Sequence, residues 1–336
     1  MTRVWTEGWE FSDKIGYCYD GNVAIDPIAR SGSKSLRVKT VSSGGGWLYK
    51  NIDPISEFYL RFGVYLDPWA YGYTVPRVYW DGGSLTSYLS FGECFNIYIN
   101  INGTTVDTGI TTLFPLTWYL IEVHVKIDGS VGVVEVKLDG KSTLEIDFTG
   151  NTGSGSVSSI RFYQFGGVLG ELGQGYFDDI ALNDTAGGVD DSWTGEGKII
   201  VMMPNDDSTP LELTPSAASD HHLLVDEIPS DGDTTYVEGS VIDEEDMYGL
   251  TASGLVDVDI NRVWTEARTR KTAANDGMVA LITKASGGAE VSGGDVELLT
   301  TYTIKVLGAE ELVNPVDSNP WEVADIDLIE IGPRTR

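Results

Sequence analysis

Two-residue hydrophobic alternation recurs along nearly the whole chain, and helical periodicity is hard to find anywhere. Phe58-Tyr-Leu-Arg-Phe-Gly-Val-Tyr-Leu66 and Trp118-Tyr-Leu-Ile-Glu-Val-His-Val-Lys-Ile127 alternate and are rich in β-branched and aromatic residues. Such residues suit a pleated, half-buried surface. Val133-Val-Glu-Val-Lys-Leu138 and Ser142-Thr-Leu-Glu-Ile-Asp-Phe148 flank Asp139-Gly140. Asp-Gly between alternating runs predicts a type I′ hairpin, whose two central residues both need positive φ. Residues 157–165 and 175–182 read as further strands, and the one short helix expected lies at 308–313. Forty glycines in 336 residues supply tight turns. Strands at this spacing predict an all-β fold of antiparallel sandwiches.

The length exceeds what one hydrophobic core usually serves. Asn183-Asp-Thr-Ala-Gly-Gly-Val-Asp-Asp-Ser192 is small, polar and turn-rich, and Gly197-Lys-Ile-Ile-Val-Met-Met203 begins a new apolar run. The expected organisation is a first domain over 1–185, a linker over 186–196 and a smaller β domain over 197–336. Strands of the latter are expected at 198–203, 256–268, 277–284, 296–306 and 321–331. The formal charge is −29, with −10 on residues 1–193 and −19 on 194–336. So acidic a chain is a poor match for nucleic-acid phosphates or anionic lipid. No apolar run is long enough for a membrane-spanning helix. The N-terminal residues carry no apolar signal core, so a protein made without export is expected. A disulfide between Cys18 and Cys94 is accordingly disfavoured.

Chemistry-bearing motifs are sparse. The three histidines are His124, His221 and His222. His124 sits on the polar side of its strand and reads as a surface residue; no nucleophile-elbow motif accompanies His221-His222. Glu145-Ile-Asp147 has two of the three acids of a glucanase strand, but Gly150 stands where the third would be, so the pair reads as solvent-facing. Acid-rich loops offer hard oxygen ligands for Ca2+, and the candidates are Asp206, Asp207, Asp231, Asp233, Asp243, Glu244 and Asp246. None has EF-hand spacing. Trp69, Tyr71, Tyr73, Tyr79 and Trp80 lie within twelve positions. Flat rings in loops stack on sugars, which makes these five the candidate carbohydrate-binding residues, with core packing as their alternative role.

Ser31-Gly-Ser-Lys-Ser-Leu-Arg-Val38, the 58–66 and 118–125 strands, Val134-Glu-Val-Lys-Leu-Asp-Gly140 and Tyr176-Phe-Asp-Asp-Ile-Ala-Leu182 follow one another in a suggestive order. In this order, residues 1–185 resemble the concanavalin A-like lectin/glucanase (laminin-G-like) jelly roll of tailed-phage structural proteins. The second half, around Asp226-Glu-Ile-Pro-Ser-Asp-Gly-Asp-Thr-Thr-Tyr236, resembles the module that follows it there. The resemblance implies a non-enzymatic virion protein of the tail tip, fibre or baseplate that adsorbs to host-surface glycan. A capsid decoration protein or head fibre is the alternative, and a secreted hydrolase a weaker one. It also implies other virion proteins as partners, assembly in the bacterial cytoplasm and a dimeric or trimeric state.

Overall fold

The computed structural model describes every residue except 1–2, 13, 15, 21, 41–44, 68–74, 83–84, 92–95, 166–172, 188–189, 274–276, 287, 289, 303–304 and 309. The chain divides into two compact units, Met1–Ile200 and Val201–Arg336. Regular structure among the described residues is almost entirely β.

Unit 1 contains β1 (Arg3–Glu7), β2 (Cys18–Tyr19), β3 (Val23–Asp26), β4 (Ser35–Lys39), β5 (Gly46–Ile55), β6 (Glu57–Leu66), β7 (Pro76–Gly82), β8 (Leu85–Phe91), β9 (Asn96–Ile101), β10 (Thr104–Thr112), β11 (Trp118–Lys126), β12 (Gly132–Leu138), β13 (Ile146–Gly150), β14 (Val157–Gln164) and β15 (Gln174–Asp184). The first sheet runs β13-β12-β11-β6-β15-β4-β3, with β1 also on β15; the second runs β10-β9-β8-β7-β14-β5-β2. Strands β7 to β10 meander in the second sheet and β11 to β13 in the first, while β5, β6, β14 and β15 pass from one sheet to the other. The result is an antiparallel jelly-roll sandwich.

Alternation explains the core. One side of β6 supplies Phe58, Leu60, Phe62, Val64 and Leu66; β11 adds Ile121, Val123 and Val125. From the opposite sheet come Leu48, Val78, Trp80, Leu89, Ile97, Ile99, Ile160 and Phe162, all in the same buried cluster. Each such side chain contributes roughly 1.5–3 kcal/mol when fully buried.

Asp139 and Gly140 have φ of 51° and 66°, and Lys141 N donates to Leu138 O at 3.1 Å, as the Asp-Gly signal requires. The return strand starts later than expected. Val136 pairs with Ile146, so residues 142–145 form an irregular excursion before β13. Its last residue, Glu145, is turned towards β10, where Thr111 N donates to it at 3.0 Å.

The expected linker belongs to unit 1. After β15 the chain returns as a strap across the outer face of the first sheet. Trp193 meets Tyr59 edge-on at 5.4 Å, and Lys137 Nζ lies 3.8 Å above the Trp193 ring. Gly195 N donates to Glu122 at 2.7 Å, and Arg61 donates to Gly195 O at 3.2 Å. Arg30 donates to Gly197 O at 2.9 Å and Ile199 N to Asp179 at 2.8 Å. Backbone polar groups of Gly195, Gly197 and Ile199 thus find partners on unit 1, without forming a strand of their own.

Unit 2 is a smaller antiparallel β domain. Its main sheet orders Pro204–Leu211, Asp246–Leu250, Glu330–Thr335, Met278–Lys284 and Glu290–Ser292, with Val296–Glu297 also on the Met278 strand. Val279 and Leu281 pack with Val306 on one side of that strand; Ala280 and Ile282 pack with Met247 on the other. Cover on both faces explains why 278–282 is continuously apolar. Several expectations are corrected. Residues 198–203 form no strand. Of 256–268 only Glu266–Arg268 is a strand, paired with Lys305–Leu307. The stretch 321–331 opens with a short helix, Val323–Ile326, capped reciprocally by Glu322 and Asp325. Among the described residues of 308–313 no helix forms: Glu311 instead bridges Val263 in antiparallel fashion.

Candidate functional site

Among the side chains of the second sheet that do not enter the core, two adjacent rows are rich in aromatic rings. Register places Trp47, Tyr163, Arg77, Ser90 and Tyr98 side by side across β5, β14, β7, β8 and β9. The next row is Tyr49, Arg161, Tyr79, Tyr88 and Asn100. Strand pairing alone therefore assembles a platform of aromatic rings and two guanidinium groups from residues far apart in sequence.

The platform is tightly interlocked. Trp47 and Tyr49 stack at 5.4 Å. Tyr79 meets Tyr88 at 4.7 Å and Tyr163 edge-on at 5.7 Å; Tyr88 meets Tyr98 at 6.3 Å. Arg161 lies 4.3 Å over Tyr79 and holds Asp81 at 2.9 Å. Arg77 lies 4.7 Å from the Tyr88 ring and 4.1 Å from that of Phe165, and donates to Tyr79 Oη at 3.1 Å. Trp47, Tyr49, Tyr88, Tyr98 and Tyr163 are half-buried, each leaving ring surface open to solvent.

Electrostatics follow from this packing. Burial raises Asp81 above the ordinary carboxylate range, against the opposing pull of Arg161. Burial alone would lower Arg77. Its hydrogen bond to Tyr79 and the phenol oxygens of Tyr79, Tyr88 and Tyr98 outweigh that and leave it above the ordinary guanidinium value. Burial also raises Tyr88 and Tyr163.

The five sugar-binding candidates are not equivalent. Trp69, Tyr71 and Tyr73 lie outside the described residues. Tyr79 is part of the platform, though Arg161 covers it. Trp80 points the other way, into the core, at 1% exposure against Phe58. It follows Tyr79 on one strand, so alternation sends the two rings to opposite faces, and the Trp80 assignment is corrected. The sequence carried a signal for the missed residues: Arg161 and Tyr163 alternate on a predicted strand, and Arg77 alternates with the candidate Tyr79 on its neighbour. Their convergence needed the pairing order.

The acidic candidates do not gather. Among the described residues no group of three or more His, Cys, Asp or Glu could hold a metal ion. Asp246 is buried and accepts from Glu212 N, Leu213 N, His221 Nδ1 and Tyr248 Oη. Asp207 caps the His221–Leu224 turn through the amides of His221 and His222. Asp231 accepts from Thr235 and Asp233 from Arg270 and Tyr302. Asp243 pairs with Arg336, Glu244 accepts from Ser240 N and Val241 N, and Asp206 is exposed on its strand. The calcium assignment of these seven is corrected accordingly.

The histidines and acids weighed for catalysis are not brought together with one another. His221 and His222 each face an aspartate, at 2.6 Å and 3.0 Å, but no hydroxyl is bonded to either ring. Glu145 is engaged through both oxygens by Thr111, whereas Asp147 is exposed on β13. His124 departs from the surface position expected of it. It is buried beneath the strap, stacked on Tyr59 at 4.3 Å, with Glu135 and Glu57 at its two ring nitrogens.

No protein-family model matches the chain, and no curated protein matches it in sequence. Solved structures resemble it in fold. The catalytic domain of a glycoside hydrolase family 131 protein from Coprinopsis cinerea is 13% identical, over 59% of this chain and 98% of that one, with a TM-score of 0.42. A basic winged bean lectin in complex with Tn-antigen is 10% identical, over 50% and 92%, with a TM-score of 0.36. A sialidase is 9% identical over 55% of this chain, with a TM-score of 0.43; the match spans 19% of the sialidase.

Proposed function

We propose that the chain is a non-catalytic glycan-binding protein whose first unit presents the tyrosine–guanidinium platform to saccharide. The carrying observation is the row geometry: open rings of Trp47, Tyr49, Tyr88, Tyr98 and Tyr163 on one rigid sheet face, interleaved with hydrogen-bonding groups. Open rings bury the C–H faces of sugars, while phenol, amide and guanidinium edges take hydroxyl groups. Disengaged carboxylate pairs, which a glycosidase needs, find no counterpart in Glu145 and Asp147.

The test is a glycan array followed by titration of the best hit. Tyr88→Ala and Tyr163→Ala should each weaken binding about 10-fold or more, since a stacked ring contributes on the order of 1–2 kcal/mol. Binding unchanged in both variants would remove the platform from the site.

The proposed setting is a tailed-phage virion, in the tail or as a capsid decoration, as a dimer or trimer alongside other virion proteins. Its support is the order of sequence motifs across both units. Quantitative mass spectrometry of purified virions distinguishes the cases: a few copies indicate the tail, hundreds indicate the head. Absence from virions would sink the setting and leave the glycan reading intact.

A further inference from the structure

Resting on that glycan reading, we infer that the saccharide is anionic: a carboxylated sugar whose carboxylate pairs with Arg77 at the centre of the platform. Cations are scarce in a chain with 22 Lys and Arg against 51 Asp and Glu, and several of the other arginines are engaged by acids. Arg37 pairs with Asp26, Arg30 with Asp179, Arg161 with Asp81, and Arg334 with Glu245 and Glu290. Arg77 has no carboxylate partner among the described residues. Its guanidinium lies against the rings of Tyr88 and Phe165, and its Nε is buried with no hydrogen-bond partner.

That environment prepares a cation for an anion. The rings fix the guanidinium plane and strip part of its water without neutralising it. The planar group matches a carboxylate better than it matches a lone hydroxyl. A neutral sugar laid over the platform would remove more water from Arg77 and return no charge, which is costly. Among the described residues the other charges around this face are few. Arg161 is balanced by Asp81 at 2.9 Å, and Asp20 lies near Tyr163 while accepting from Asn22 N and Trp47 N.

The experiment uses the full chain on an array carrying neutral, uronate-bearing, sialylated and sulfated glycans. The best carboxylated hit is then titrated against its methyl ester, which keeps the sugar and removes the charge. The expected result is at least about a 10-fold loss on esterification, a similar loss in Arg77→Gln, and partial retention in Arg77→Lys. Raising salt from about 50 to about 500 mM should weaken wild-type binding several-fold. Should Arg77→Gln fail to fold, the ester comparison on the unaltered chain decides alone. Neutral or esterified glycans bound as tightly as the acid would overturn this inference and leave the glycan reading standing. Sulfated glycans bound in place of carboxylated ones would overturn the carboxylate assignment. No binding by the folded chain to any glycan would overturn both readings.

Discussion

Adjacent residues on β7 have opposite fates, and substitutions should separate them. Trp80 fills the core against Phe58, so Trp80→Ala should cost about 3–5 kcal/mol. The midpoint of urea unfolding, followed by circular dichroism, measures this. Tyr163→Ala on the outer face should move that midpoint far less while abolishing stacking. A second residue-scale effect comes from Asp178, which is buried beside Asp179 in β15. Burial, then the charge of Asp179, pushes the Asp178 carboxyl up to about 8, against three backbone N–H donors. An unfolded aspartate titrates near about 4, so between these values the folded chain holds the extra proton. Stability should therefore be fully present below about pH 4 from this group and be lost progressively as pH rises through about 8. Unfolding midpoints across that window should show the slope, and Asp178→Asn should flatten it. A wild-type midpoint that instead rises from pH 6 to 8 would contradict the assignment.

At the scale of elements, the strap has the most exposed consequences. Arg61 and Glu122 are 6% and 4% exposed, and backbone groups of Gly195 serve both. A unit 1 cut after residue 185 would leave these groups without strap partners, at a cost of about 3–5 kcal/mol; one cut after residue 200 would keep them. Comparing the thermal midpoints of the two fragments measures the difference, and equal midpoints would show the strap to be dispensable. Gly197 gives a finer version: a Cβ there would sit 2.5 Å from Nη1 of Arg61, whose Nε donates to Asp179 O and whose Nη1 donates to Gly195 O. Gly197→Ala should lower the midpoint by an amount corresponding to about 1–3 kcal/mol. The contrast with the strands explains what the sequence could disclose. Phe58–Leu66 and Trp118–Lys126 were legible because burial on one face writes a period of two into the residues themselves. The strap has no period, because its partners lie across space on Arg30, Arg61, Glu122 and Asp179. The platform was illegible for a related reason. Each of its strands contributes two residues, and only the order β5-β14-β7-β8-β9 turns five unremarkable pairs into one surface. In unit 2, helix and strand share 321–331, and the apolar spacing there did not distinguish a capped turn from a strand.

For the molecule as a whole, the dominant quantity is a formal charge of −29. Self-repulsion of that size should destabilise both units at low ionic strength, and salt should relieve it. The question is whether any cation acts at a point or only as a screen. The carboxylates of unit 2 argue for a screen: Asp246 is saturated by four protein donors, Asp207 is committed to a turn, and Asp233 and Asp243 are held by arginines. Binding Ca2+ at any of them would require breaking those bonds, and the ion takes about six to eight oxygens that these separated groups do not bring together. Mg2+ and Ca2+ at equal concentration should therefore raise the thermal midpoint by the same amount, and a chelator added to the purified chain should leave it unchanged. A saturable increment specific to Ca2+ would mean that acids apart in this fold converge on an ion, since only a ligand bound to the folded state stabilises it by mass action.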